Sequence, residues 1–100
     1  MGLFDNLDDE TPPPLAVIRS FLALAIQIGA PAYNAGDRRG CYEVYACVAR
    51  LLVRTVKGAD PATRVLAEAL EACALEVDVN DQAWIMRRAF DKLLLPTDEN

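Results

Sequence analysis

The sequence predicts an all-α fold, either a four-helix up-down bundle or two packed helical hairpins. Three observations carry that expectation. Apolar residues recur at helical spacing in segments punctuated by Gly, Pro, Asn and Asp. No window sustains the alternation of a strand. The chain is 100 residues long with 53% apolar and 25% charged types, the balance of one ordinary globular domain. Such a domain buries one core and has little stability to spare.

Residues 1–13 read as an acidic, Pro-rich lead-in, 14–95 as the helical domain and 96–100 as a polar tail. Pro14 suits the first turn of a helix, where a missing N–H costs nothing. That first helix is expected over about 14–28. Its polar positions are few (Arg19, Ser20, Gln27), so nearly its whole circumference is apolar and a second face needs burial against something else. Gly29 and Pro31 are expected to stop or kink it, since a helix-interior proline costs about 3 kcal/mol or more. The second helix starts between Asn34 and Arg38 and runs to about Lys57. Glu43, Arg50, Arg54 and Lys57 form its solvent stripe, and Cys41, Val44, Tyr45, Val48, Leu51, Leu52 and Val56 its inner face. Its N-cap is Asn34, with Asp37 three residues on, or Asp37 itself. Gly58 suits the left-handed C′ position. Asp60-Pro61 reads as N-cap and first residue of a third helix to about Val77, with Val65, Leu66, Ala69, Leu70, Cys73 and Val77 inward. Asn80 or Asp81 caps a fourth helix to about Leu95, whose core face is Ala83, Met86, Ala89, Phe90 and Leu93.

The stretch GAPAYNAGDRRGCY, 29–42, departs most from a generic helical pattern. Ile28-Gly29, then Gly36-Asp37, then Cys41, Tyr45 and Val48 follow the order of a late Gly, a Gly-Asp turn, a small residue, an aromatic four later and a small residue three beyond. Over 28–48 this resembles a single, degenerate tetratricopeptide hairpin. Pro31, the long second helix and the lack of a repeat in the second half depart from that family. The resemblance therefore implies a helical hairpin, not an array. The wider pattern also resembles small bacterial helical domains, a likeness that implies no activity.

The formal charge of −5 argues against sequence-independent nucleic-acid binding, which needs a basic face. Charge is segregated: Asp5, Asp8, Asp9 and Glu10 lead the chain, acids dominate 60–81, and Arg50, Arg54, Lys57 and Arg87, Arg88, Lys92 gather on two helices. This predicts neighbouring helices of opposite sign, or steering of a charged partner. Cysteines 41, 47 and 73 are odd in number and contain no CxxC; with no signal-peptide pattern, reduced thiols and a cytoplasmic setting are expected. The longest apolar run, 21–30, is shorter than the roughly 20 residues of a membrane span.

No catalytic, metal or cofactor site is expected. The chain has no His, so neither a Cys-His pair nor a zinc ligand set can form. It has no phosphate loop, dinucleotide fingerprint or nucleophile elbow, and acid-base chemistry would rest on carboxylates and tyrosines alone. Two candidate regions remain. The corner Tyr33, Asn34, Asp37 and Cys41 suits a small-ligand or redox sensor, because a helix start and Arg38-Arg39 favour a thiolate at Cys41. Trp84, Arg87, Arg88 and Leu95 share the side of the fourth helix away from its core face, the composition of a partner-binding hot spot. Cys47 is expected near the surface and Cys73 in the core. The leading expectation is a protein–protein interaction module, an adaptor or a homo-oligomer, docking through helix faces.

Overall fold

The computed structural model describes residues 13–95, which form four α-helices: α1 (Pro13–Asn34), α2 (Arg38–Thr55), α3 (Ala62–Ala74) and α4 (Val79–Leu94). Short connections fold each helix back on its predecessor. The hairpins α1–α2 and α3–α4 join mainly through α2 against α4, with α1 also touching α4 and α2 touching α3. Of the acidic lead-in, 1–13, residues 1–12 lie outside the described residues, as does the tail, 96–100, while Pro13 already belongs to α1.

α1 does not stop at Gly29 or Pro31 but continues to Asn34. Pro31 lacks an N–H for the carbonyl of Gln27, an exposed residue on the outer side of the helix, and its own carbonyl accepts from Ala35 N at 3.0 Å. The helix then closes properly. Gly36 N donates to Tyr33 O at 3.0 Å and Asp37 N to Ala32 O at 2.8 Å, around a left-handed Gly36 with φ 95°. This is the paired closure that glycine permits at a helix end. Asp37 then opens α2, its carboxylate accepting from Gly40 N at 2.8 Å. One residue thus ends one helix and caps the next, and Asn34 is not the cap.

The close approach of α1 to α2 depends on Gly29. A Cβ there would lie 2.5 Å from Tyr45 Cε1. With that atom absent, the Tyr45 ring seats under α1 and meets Phe90 of α4 at 5.1 Å between centroids. The core extends outward through Ile18, Leu22, Leu52, Leu66 and Met86.

Four further ends differ from expectation. α2 ends at Thr55, and Gly58 takes its positive φ of 79° further along, past the C-cap Val56. α3 starts at Ala62, with Pro61 in the N-cap place, and Asp60 instead accepts the Thr63 hydroxyl at 2.8 Å. α3 stops at Ala74, and Gln82 Nε2 reaches back to the carbonyls of Cys73 and Glu76, both at 3.0 Å, giving the carbonyls at this end a donor from the next helix. Val77 is consequently 94% exposed rather than inward. α4 is capped by Asp78, not Asn80 or Asp81, through Asn80 N at 2.7 Å and Asp81 N at 3.4 Å.

Charge segregation does not produce ion pairs between helices among the described residues. The pairs Arg39–Glu43, Arg64–Asp60 and Arg87–Asp91 are each four residues apart on the sequence. Arg19 instead ties α1 to the end of α4, its Nε donating to Leu93 O at 2.9 Å.

α1 carries two apolar faces. Ile18, Leu22, Ala25 and Gly29 are buried in the core. Val17, Phe21, Leu24 and Ile28 stand about a quarter-turn away and are 43%, 41%, 49% and 53% exposed. Uninterrupted by Pro31, α1 is 22 residues long and, by length and composition, apolar enough to cross a membrane. The run 21–30 understates its reach.

Candidate functional site

The two regions nominated from sequence converge. The end of α1, the start of α2 and one face of α4 enclose a half-open pocket of about 320 Å³. Tyr33, Asn34 and Cys41 from the corner line it with Trp84 and Arg87 from α4. Tyr45, Ala30 and Ala83 complete the wall. Helix spacing explains the gathering: Ala30, Tyr33 and Asn34 fall on one side of α1, and Ala83, Trp84 and Arg87 on one side of α4.

Trp84 does not stand free. Its Nε1–H donates to Tyr33 Oη at 2.9 Å, and Tyr33 Oη–H donates to Asn80 Oδ1. The Tyr33 and Trp84 rings meet edge to face, 5.8 Å apart at 77°, and the Arg38 guanidinium lies 5.2 Å from the Tyr33 ring centroid. The stack Arg38–Tyr33–Trp84 fixes the pocket rim and links the hairpins. Nothing in local spacing reveals this link, because its partners lie 47 and 51 residues apart.

The remaining nominated residues stay outside. Asp37 is spent on its cap. Arg88 is exposed and does not line the pocket. Leu95 is 60% exposed and about 16 Å along the α4 axis from Trp84. Arg87 is half-buried, its Nε donating to Asp91 Oδ1 at 3.0 Å, which raises its affinity for its proton.

Cys41 is buried, and that burial pushes its thiol above the ordinary value. Desolvation therefore outweighs the helix start and the arginines that were expected to favour a thiolate. Cys73 is likewise buried and raised by desolvation, while Cys47 is exposed; all three are free thiols.

Burial also raises Tyr45, to about 12 from an ordinary 10.0. The fold favours the neutral phenol, so this contribution to stability is complete below pH 10 and is lost as pH rises through about 12. The urea midpoint is expected to fall across that window as phenolate absorbance appears on unfolding, and Tyr45→Phe should make the fall shallower. An equal fall in wild type and variant would contradict this assignment.

No family model, curated protein or solved structure matches this chain.

Proposed function

We propose that the domain is a protein–protein interaction module that pairs with a second copy of itself through the outer face of α1. The exposed line Val17, Phe21, Leu24 and Ile28 carries this reading. Its members recur at spacings of four, three and four, so they form one continuous stripe about 16 Å long. Contiguous apolar surface of this kind marks contact sites. Charge favours a like partner. Arg19 is the one charged residue between Pro13 and Asn34, and it is engaged with α4 carbonyls. Two copies related by a two-fold axis can therefore bring identical stripes together without like charges of α1 opposing each other.

The seating of Tyr45 beneath Gly29 and the Gly36-Asp37 turn support the reading of 28–48 as a tetratricopeptide-like hairpin used for docking. The reading assigns the domain no catalysis and places it in a reducing, cytoplasmic setting, where free thiols persist. The inner face of α1 is committed to the core, so a membrane span would require it to abandon Ile18, Leu22 and Ala25.

Capture of an untagged chain by a tagged one tests the proposal. Wild type should capture its copy, and Phe21→Glu/Leu24→Glu should not, while circular dichroism shows its helices intact. A wild type that captures no copy, whether or not it binds another protein or lipid vesicles, overturns self-pairing. Equal capture by the double variant overturns the stripe as its site.

A further inference from the structure

We infer that the pocket between α1, α2 and α4 is a binding site for a small aromatic monocarboxylate. It lies on a different side of α1 from the stripe and is independent of self-pairing. Its volume of about 320 Å³ suits one ring with a short substituent. The Tyr33, Tyr45 and Trp84 rings offer flat apolar walls, and Ala30 and Ala83 leave the space between them open.

The polar groups select the charge. The chain as a whole is acidic, at −5, yet among the described residues no carboxylate lines this cavity. Arg87 lines it, and a second cation, Arg38, lies against the rim residue Tyr33. Asp91 takes the Nε of Arg87 and holds the side chain in place. A guanidinium has further donors on its terminal nitrogens, in the fork geometry that matches a carboxylate. Asn34 adds an amide at the same wall. A ring entering past the Tyr33–Trp84 rim thus brings a carboxylate toward Arg87.

Trp84 is the only tryptophan and forms one wall, so its emission reports directly on occupancy. Benzoate should change that emission saturably with a Kd on the order of 1 mM, the range for a ligand of so few atoms. Benzamide, of the same shape but neutral, should bind at least about tenfold more weakly, the effect of one charge-assisted contact. Arg87→Gln should bring benzoate down to the level of benzamide. Ala30→Leu, which fills the cavity from a half-buried position, should abolish both responses with circular dichroism unchanged. Absence of a saturable response to benzoate by about 20 mM overturns the site. Equal binding of benzoate and benzamide, or an unchanged benzoate affinity in Arg87→Gln, overturns the carboxylate assignment. A response that survives Ala30→Leu places binding elsewhere and overturns the pocket.

Discussion

Gly29→Ala is expected to destabilise the domain by about 1–3 kcal/mol, the usual cost of forcing extra volume into a packed core. At an exposed helix position the same change stabilises by about 1 kcal/mol, because alanine is the better helix former. The sign reverses here because the added methyl would lie 2.5 Å from Tyr45 Cε1 and 3.1 Å from Cδ1 and Cζ. The ring yields only at a cost, because Tyr45 is buried and packs on Phe90, so any shift disturbs that contact. Either α1 lifts from α2 or Tyr45 leaves its rotamer, and each loses contacts in the centre of the fold. In a domain of this size each lost kcal/mol lowers Tm by about 4–8 °C. Shortening the opposing side chain relieves the collision, so Gly29→Ala combined with Tyr45→Leu should cost less than the sum of the two single changes. A Gly29→Ala protein as stable as wild type would show that α1 and α2 do not meet as closely as described.

Leu22→Ala and Leu24→Ala should differ sharply, although the residues are two apart on one helix. Leu22 is fully buried and Leu24 is 49% exposed. Truncating Leu22 removes apolar burial and leaves a cavity, at about 2–5 kcal/mol. Truncating Leu24 should cost within about 0.5 kcal/mol in dilute solution, where a surface side chain has little to lose. Self-pairing changes the second result in a defined way. Tm of wild type should rise with protein concentration, because association stabilises the folded chain, and Leu24→Ala should weaken that rise. Parallel chemical denaturation and concentration-dependent melting measure both effects. Equal destabilisation by the two changes at low concentration would contradict the assignment of faces on α1.

Much of the helical register was legible because it rests on a short period. On α2, Glu43, Arg50 and Arg54 are exposed, as their spacing required, and Lys57, just past its end, is exposed too. On α4, Ala83, Met86 and Phe90 are buried, with Ala89 and Leu93 half-buried. The α2 inner face differs slightly from its expected set: Leu51 is exposed, while Ala46 and Ala49 lie in the core. Alanine gives a weak apolar signal in a sequence, yet its small side chain is what close helix contact selects. Helix ends were read less well, since their determinants are distant. Gln82 serves the end of α3 from the next helix, and Asp78 takes the cap from Asn80, whose side chain accepts from Tyr33 on α1. Pro31 does not end α1, because the cost of one missing N–H is small when the affected carbonyl belongs to an exposed residue, Gln27, and the helix closes one turn later. The pocket followed a similar logic. Both contributing regions were visible as unusual composition, but their meeting depends on how one hairpin packs on the other, which no local pattern encodes.

The mass of the wild-type chain in solution, measured by light scattering across a dilution series, tests the self-pairing proposal most directly. One chain is 10.9 kDa. Twice that mass at high concentration, falling toward one chain on dilution and remaining at one chain throughout for Phe21→Glu/Leu24→Glu, is the expected result. A wild type that stays at 10.9 kDa at every concentration would contradict it.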